Sequence, residues 1–363
     1  MKKNTKIAIL TGGGDCPGLN AVIRAVAKKA LRELDAEIIG IKDGFEGFIH
    51  KQYRKLAIED VSGILTLGGT ILGTSNIANP YSYPYKEGND VVFRDVSKIV
   101  IRNIEELEVD CVVCIGGDGS LSIASRLAKE GIPVIGVPKT IDNDIQGTDI
   151  TFGFDSAVRI ATEGIDRLHT TAQSHHRAMI IEVMGRTAGW ISLYSGAAGG
   201  GDIILIPEIP YDINTIAEVV KKRNKKGKRF SIIVIAEGAK PAGGNVTIRR
   251  IVKDGTEPVR LGGVGFAIGQ EIEGLTGIET RTVVLGHLQR GGSPSPFDRI
   301  LGTQLGTEAV DMIVNKEYGY MVGVKGNSFT RISLDEVAKG SRTVPLNHPL
   351  LSSLRSIGVS TGI

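Results

Sequence analysis

The feature that most constrains the fold is an alternation of short β-branched apolar runs with longer amphipathic segments, which continues along almost the whole chain. Short apolar runs between turn residues predict buried strands, and the longer segments predict helices. The predicted strands lie at residues 6–10, 37–41, 112–115, 132–137, 178–182, 203–206, 230–236 and 280–285. The predicted helices lie at residues 19–34, 96–107, 120–129, 157–171, 213–226, 264–275 and 297–314.

This alternation is typical of a doubly wound α/β protein, whose ligands bind beyond the carboxyl ends of the strands. A length of 363 residues favours two such units. The hydrophobic content of 41% indicates a globular protein, and the net charge of +3 is too small to indicate nucleic-acid binding. No apolar run reaches the ~18 residues of a membrane span, and nothing resembles a signal peptide. We therefore expect a cytoplasmic protein with no nucleic-acid or membrane partner.

The three cysteines suit a reducing compartment. Cys111 and Cys114 form a C-x-x-C motif, but side chains three residues apart in a strand face opposite ways. We therefore expect both in the core and not in a redox or zinc pair.

The stretch at 136–144, with the sequence GVPKTIDND, follows the predicted strand at 132–137. Pro138 and the Asp-Asn-Asp cluster predict that the strand stops and a loop follows. In an extended loop, Asp142 and Asp144 can point to one side. Two carboxylates beside Lys139 suggest acid–base chemistry on a charged substrate, although the same cluster could merely cap backbone amides.

Two glycine-rich turns each follow a predicted strand and open a predicted helix. The turn at 116–120, Gly-Gly-Asp-Gly-Ser, predicts an anion site built from backbone N–H groups and a helix N-terminus. Asp118 would repel phosphate directly, so we expect it to hold Mg²⁺ against the phosphates. The turn at 12–18 is a second candidate phosphate site, although its spacing matches neither common nucleotide-binding fingerprint. The segments at 73–76 and 79–85 predict a loop near the nucleotide.

The second half of the chain carries polar groups at its predicted strand ends, as a phosphorylated polyol would require. Guanidinium groups bind phosphate in a bidentate manner, and a carboxylate accepts hydroxyls. These groups are Arg177, Arg186, Glu237, Arg281, His287 and Arg290. Any single arginine among them could instead form a surface ion pair. His175 and His176 are expected to be structural, and His169 to lie on a helix surface.

Four segments, taken together and in order, resemble the phosphofructokinase family. They are GGDGS at 116–120, TIDND at 140–144, EVMGR at 182–186 and LGHLQRGGSP at 285–294. The resemblance runs from about residue 6 to 315, and the tail at 344–349 resembles the longer branch of the family, which includes pyrophosphate-dependent members. It implies two doubly wound, Rossmann-like lobes and Mg²⁺-dependent phosphoryl transfer from ATP to the 1-hydroxyl of fructose 6-phosphate.

The resemblance also implies a division of the chain and the roles of its site residues. A nucleotide lobe would comprise residues 1–153 and about 289–335, and a sugar-phosphate lobe about 154–288 and 336–363. Asp142 would accept the hydroxyl proton beside Thr140, and Arg186 would stabilise the transferring phosphoryl. ATP would bind at Gly14, Gly117, Asp118, Gly119 and Ser120, with Mg²⁺ on Asp118. Substrate contacts would come from Thr140, Ile141, Asp142, Arg177, Met184, Gly185, Arg186, Glu237, Arg281, His287, Leu288, Gln289 and Arg290.

Arg177 and Arg281 would reach the 6-phosphate from a neighbouring subunit, which implies a homo-oligomer (a tetramer or a dimer) with shared active sites. The two residues that would set donor specificity indicate different donors: Gly119 is typical of ATP users, and Lys139 is typical of pyrophosphate users. Position 76 is Asn where bacterial ATP-using members carry arginine. Lys28 and His169 replace effector-binding arginines, although Arg24 matches.

Three alternatives remain at this point. The first is a pyrophosphate-dependent phosphofructokinase. The second is another kinase with the Gly-Gly-Asp-Gly loop, acting on a lipid or on NAD, which would leave the stretches at 140–144 and 287–290 unexplained. The third is a non-catalytic sugar-phosphate-binding paralogue.

Overall fold

The computed structural model describes residues 5–88, 90–251 and 259–363, which form an α/β protein. Its strands are β1 (Lys6–Thr11), β2 (Glu37–Ile41), β3 (Tyr53–Lys55), β4 (Tyr83–Glu87), β5 (Asp90–Arg94), β6 (Cys111–Gly116), β7 (Val134–Thr140), β8 (Phe152–Gly153), β9 (Ala178–Val183), β10 (Ile203–Leu205), β11 (Ser231–Ala236), β12 (Ile248–Ile251), β13 (Val259–Leu261), β14 (Thr280–Val284), β15 (Tyr320–Lys325) and β16 (Ser328–Ser333).

The helices lie mostly between successive strands. They are α1 (Leu19–Glu33), α2 (Phe45–Ile49), α3 (Ser97–Glu106), α4 (Asp118–Lys129), α5 (Phe154–His175), α6 (Trp190–Ala198), α7 (Ile213–Lys225), α8 (Val264–Thr276), α9 (Pro296–Val314), α10 (Leu334–Val337) and α11 (Pro349–Ser356). None of the helices in the described ranges is both long enough and apolar enough to cross a membrane.

Two sheets organise the chain. The first has the order β16-β15-β7-β6-β1-β2-β3, with β8 paired to β7, and the pairs from β15 to β2 are parallel. The second has the order β10-β11-β9-β14 and is parallel throughout. Three neighbouring strands in each sheet, β7-β6-β1 and β11-β9-β14, are followed by the motifs identified in the sequence. Their carboxyl ends therefore bring those motifs together.

Successive side chains along each strand point to opposite faces of the sheet, and helices pack on both faces. Ile7 and Ile9 of β1 pack with α1 and α9, whereas Ala8 and Leu10 pack on the opposite face with α3 and α4. In the second sheet, Ile180 packs with α7 and α8, on the face away from α5 and α6. One apolar cluster runs through both sheets by way of α5, so the core is continuous between them. The doubly wound fold predicted from the alternation is confirmed.

All eight predicted strands and seven predicted helices are present, with shifted ends in several cases. The helix predicted at 120–129 begins at Asp118, and the one predicted at 157–171 extends over Phe154–His175. Cys111 and Cys114 are free and buried in β6, as predicted. His169 was expected on a helix surface but is half-buried, with Nε2 2.6 Å from the Gly199 carbonyl and its ring against Phe230.

The prediction that Pro138 stops the strand was wrong, because β7 continues through it to Thr140. Proline is excluded from a sheet interior because it cannot donate a ladder hydrogen bond. At Pro138 the strand changes its neighbour on one side: Gly136 still pairs with β15, and Lys139 already pairs with β8. No donor is needed at this junction.

Several elements had no clear signal in the sequence. The segment at 79–85 was predicted as a loop near the nucleotide, but its end forms β4 of the hairpin β4–β5. This hairpin packs against the outer face of the first sheet, where Tyr83 donates to Glu46 at 2.6 Å. Helix α6, the antiparallel pair β15–β16 and the short helices of the tail were likewise not predicted.

Candidate active site

The turns after β1 and β6 are packed against each other through one serine side chain. Gly12 donates its N–H to the Ile115 carbonyl at 2.9 Å, which ties the turn after β1 to the end of β6. A β-carbon at Gly12 or at Gly116 would overlap the buried side chain of Ser120. Glycine is therefore required at both positions, and Ser120 is enclosed between the turns.

The first residues of α4 form an open anion-binding platform. Gly117 is the N-cap, and Asp118 is the first helical residue. The Gly119 N–H donates to Asp118 Oδ1 at 2.7 Å, which orients that carboxylate. A β-carbon on Gly119 would meet no atom within 4 Å, so the space above this turn is free of protein. Backbone donors at a helix N-terminus beside free space suit a phosphate chain.

The loop at 73–76 contacts the glycine turn after β1, as expected for a loop near the nucleotide. Gly13 donates its N–H to the Ser75 carbonyl at 3.2 Å, and Thr74 Oγ1 donates to the Gly13 carbonyl at 2.5 Å. Thr11 Oγ1 donates to the Gly73 carbonyl at 2.6 Å. These bonds fix the turn that contains Gly14.

Lys139 crosses from β7 to the same turn. Its Nζ donates to the Gly14 carbonyl, and the side chain is buried. Burial lowers the pKa of Lys139, and the opposing negative charges that act on it include Asp142 and Asp118. The lysine therefore lies between the glycine turn and the carboxylates.

The loop after β7 is not extended, in contrast to the expectation for the Asp142–Asp144 pair. Asn143 has a left-handed backbone with φ 51°, and Thr140 Oγ1 accepts the Asp142 N–H at 3.1 Å. Thr140 and Asn143 accept the backbone N–H groups here: Asn143 Oδ1 accepts the Thr151 N–H at 3.0 Å.

The two carboxylates are nevertheless close, and a third joins them. Burial raises the pKa of Asp144, and the negative charges of Asp142 and Asp118 raise it further. Three carboxylates from two neighbouring strand ends thus act on one another electrostatically. Such a concentration of negative charge favours binding of a cation or a proton.

The second sheet contributes the facing wall. The Arg186 N–H donates to Glu237 Oε1 at 3.2 Å, which joins the turn after β9 to the end of β11. Arg186 has φ 50° and Gly185 φ 139°, and a β-carbon on Gly238 would overlap the Arg186 carbonyl. Burial, followed by the charge of Asp142, raises the pKa of Glu237 to about 7. Glu237 therefore faces Asp142 across the gap between the sheets.

The turn after β14 closes the site from the side. Arg290, at the end of the 3₁₀ turn Gly286–Arg290, donates through Nη1 to the Asp15 carbonyl at 2.9 Å. It therefore crosses from the second sheet to the glycine turn of the first. Gln289 is fully buried and donates to the Gly286 carbonyl at 3.1 Å, whereas Leu288 is 69% exposed. Gln289 thus holds the turn from inside.

Arg177 and Arg281 lie at the opposite edge of the second sheet. As the predicted strands indicated, Arg177 directly precedes β9 and Arg281 is the second residue of β14, so both lie at amino ends and not at the carboxyl ends that carry the other motifs. Arg177 Nε donates to Glu279 Oε2 at 2.5 Å, and Arg281 pairs with the other oxygen of the same carboxylate. Within one chain, this cluster is therefore separate from the site around Asp142.

The sequence analysis missed Arg342, in the segment before α11. Its guanidinium donates through Nη2 to the carbonyls of Asn143 and Asp149, each at 2.9 Å. It also lies over the Trp190 ring, with 4.3 Å from Cζ to the centroid. No local pattern around Arg342 indicated this contact, because it joins residues about 200 positions apart.

Comparisons with known proteins agree with this geometry. The family model described as Phosphofructokinase matches residues 6–313. "ATP-dependent 6-phosphofructokinase 2" of Clostridium perfringens is 51% identical over 99% of both chains. "Pyrophosphate--fructose 6-phosphate 1-phosphotransferase" of Amycolatopsis methanolica is 48% identical over 94% of this chain and 96% of that protein. The crystal structure of Pichia pastoris phosphofructokinase in the T-state superposes with a TM-score of 0.79 at 31% identity, and covers 93% of this chain. This chain spans 36% of the length of the yeast protein.

Proposed function

The chain belongs to the phosphofructokinase family, and we propose that it is the ATP-dependent enzyme that phosphorylates fructose 6-phosphate to fructose 1,6-bisphosphate in glycolysis. The observation that carries the proposal is the meeting of Asp118 and Asp142 from the first sheet with Arg186 and Glu237 from the second. Phosphoryl transfer needs positioning and charge neutralisation more than covalent chemistry, and these groups supply both.

In this proposal Asp142 accepts the proton of the sugar 1-hydroxyl as the oxygen attacks the γ-phosphorus, and the bond from the γ-phosphorus to the β,γ-bridging oxygen breaks to release ADP. Thr140 bonds the Asp142 backbone and so helps to fix the base. Glu237, Met184 and Gly185 contact the sugar, with the Glu237 carboxylate accepting hydroxyls. Arg186 stabilises the charge on the transferring phosphoryl.

The donor lies on the turns after β1 and β6, at Gly14 and at residues 117–120. Asp118 would hold Mg²⁺ beside the donor phosphates. Mg²⁺ commonly binds proteins through one or two carboxylates plus substrate phosphates, so no cage of protein ligands is needed. When bound, the ion neutralises charge on the phosphates.

The 6-phosphate of the sugar is held by His287 and Arg290 and, from a second copy of the chain, by Arg177 and Arg281. The distance of the Arg177–Arg281 cluster from Asp142 within one chain supports such sharing. So does the position of β14 as an edge strand, with Val284 and nearby Phe266 exposed. A dimer or tetramer would therefore be the active form.

We propose the two lobes as predicted, with residues 1–153 and about 289–335 binding the nucleotide and the rest binding the sugar phosphate. The contribution of β15 and β16 to the first sheet supports this division, as does the bridge between Ser360 and Ile203 of the second sheet. A cytoplasmic location remains a prediction.

The test is a coupled assay of fructose 6-phosphate phosphorylation with ATP and, separately, with pyrophosphate. We expect turnover with ATP and little with pyrophosphate. The pyrophosphate-dependent alternative is favoured by Lys139 and by the Amycolatopsis relative, and strong turnover with pyrophosphate would establish it. Absence of turnover with both donors would favour the non-catalytic paralogue. Family membership removes the lipid or NAD kinase alternative.

A further inference from the structure

The segment at 341–344 passes directly behind the loop that carries Asp142. The Arg342 N–H donates to the Asp144 carbonyl at 2.6 Å, and Gln146 Nε2 donates to the Ser341 carbonyl at 3.0 Å. The Arg342 side chain adds bonds to the carbonyls of Asn143 and Asp149. With a longer bond of 3.3 Å from Arg342 Nε to the Asn143 carbonyl, five hydrogen bonds join this segment to the loop.

The other side of the same segment is fixed to the start of α6. Trp190 Nε1 donates to the Arg342 carbonyl at 3.2 Å, and its ring lies against the guanidinium. The Val344 N–H donates to Glu208 Oε1 at 2.7 Å, and this oxygen also accepts the Gly189 N–H at 3.0 Å. Arg342 therefore lies between the catalytic loop of the first sheet and the helix that follows the Arg186 turn of the second.

The loop needs such support at one residue in particular. Asn143 lies between Asp142 and Asp144 in the left-handed region, which among residues with a β-carbon is adopted mainly by asparagine and aspartate and then as single residues. Removal of Arg342 would deprive the Asn143 carbonyl of its guanidinium donor. Arginine suits the position because a planar guanidinium can bond two carbonyls while one face stacks on an aromatic ring, which an ammonium group cannot reproduce.

We propose that Arg342 is a positioning residue for phosphoryl transfer. It holds the Asn143 turn in the conformation that presents Asp142 to the sugar hydroxyl, and it ties that turn to the second sheet through Trp190. The inference rests on the proposed function. Because Arg342 contacts the loop from behind, its loss should affect the chemical step and leave substrate binding largely unchanged.

The test compares Arg342→Ala and Arg342→Lys with wild type. A misplacement of a reacting group by about 1 Å can lower the rate by ~10²-fold. For Arg342→Ala we therefore expect kcat to fall by about 10²-fold, while the calorimetric Kd for fructose 6-phosphate changes by less than about threefold. Arg342→Lys keeps the charge but not the two-carbonyl geometry, so it should lose about tenfold in kcat. It also keeps the proposal testable if the alanine variant does not fold.

Arg331→Ala is the matched control. Arg331 is a half-buried arginine of β16 that bonds two carboxylates, Glu308 at 3.0 Å and Glu317 at 2.6 Å. These partners lie away from the catalytic loop, so the control should lower Tm without a comparable loss of kcat. A kcat loss in Arg342→Ala no larger than in Arg331→Ala would overturn the proposal. So would a loss confined to KM and Kd, or full activity of Arg342→Lys.

The outcomes also separate this inference from the function on which it rests. An active wild type with an unimpaired Arg342→Ala variant would overturn only the positioning role. A wild type without turnover on fructose 6-phosphate with either donor would overturn the proposed function and, with it, this inference.

Discussion

Substitution of Gly119 tests how the protein selects ATP over pyrophosphate. In the proposed site the donor phosphates lie over the first turn of α4, and Gly119 leaves that space open. An aspartate at 119 would place a second carboxylate beside Asp118 and against the α-phosphate of ATP. Two like charges ~4 Å apart at an effective dielectric near 20 repel by about 4 kcal/mol, which corresponds to ~10³-fold in affinity.

The substitution should not impair folding. A β-carbon at 119 would meet no atom within 4 Å apart from its chain neighbours, and an acidic residue in the first turn of a helix is favourable. Replacing glycine by aspartate within a helix also gains about 0.3 kcal/mol in intrinsic helix propensity. We therefore expect the Tm of Gly119→Asp to be at or above that of wild type, so that any loss of activity reflects the donor.

The assay measures KM and kcat with ATP and with pyrophosphate for wild type, Gly119→Asp and Gly119→Asn. The asparagine variant is the control, because it has nearly the same shape without the charge. We expect KM for ATP to rise by up to ~10³-fold in Gly119→Asp and far less in Gly119→Asn. Pyrophosphate ends before the α-phosphate position, so weak pyrophosphate use should appear in Gly119→Asp. An unaltered KM for ATP, or equal losses in both variants, would refute the charge argument.

Three further perturbations test other parts of the site. Asp142→Asn should lower kcat by about 10²–10⁴-fold at nearly constant affinity for fructose 6-phosphate, because an amide cannot accept the proton; more than about a tenth of wild-type turnover would exclude Asp142 as the base. Arg281→Ala should raise KM for the sugar phosphate far more than it lowers kcat. Hybrids of Arg281→Ala with Asp142→Asn protomers should regain activity if sites are shared, and inactive verified hybrids would contradict sharing. The pKa of Glu237 is raised from an ordinary 4.5 to about 7. The proton on Glu237 therefore stabilises the folded state fully below about pH 4.5, and this stabilisation is lost as the pH rises through 7. Glu237→Gln should therefore raise Tm at pH 8 but not at pH 4, and a gain of equal size at both would argue against a raised pKa.

The parts of the fold that the sequence made predictable are those whose signals are local. The β-branched run in β6 and the glycines that follow it indicate a buried strand and a turn within a few residues. The short β3, the hairpin β4–β5 and the pair β15–β16 have exposed or mixed residues, so their stability depends on neighbours far along the chain. The strand through Pro138 shows the same dependence, because only the change of partner strand makes a proline acceptable there.

The candidate site divides in the same way. Asp118, Asp142 and Arg186 occur in motifs at strand ends, and parallel strands bring such ends to one edge. Pairings across long separations could not be predicted, such as that of Arg290 with the Asp15 carbonyl or of Arg342 with the Asn143 carbonyl. Arg177 precedes the predicted strand at 178–182 and Arg281 starts the one at 280–285, so their place at amino ends was predictable, whereas their shared partner Glu279 was not.

Lys139 illustrates how a residue typical of one donor can serve another. From sequence it is typical of pyrophosphate users, yet its Nζ donates to the Gly14 carbonyl and its burial leaves little freedom to move. A lysine so placed orders the glycine turn, and a positive charge on it would offset the charges of Asp118 and Asp142, two effects that would benefit any phosphate donor. In the proposed site, Gly119 would then be the residue that discriminates between the donors, because it faces open space where only a longer donor would extend. We infer that Lys139 is compatible with ATP, and that the side chain at 119 decides whether an α-phosphate is accepted.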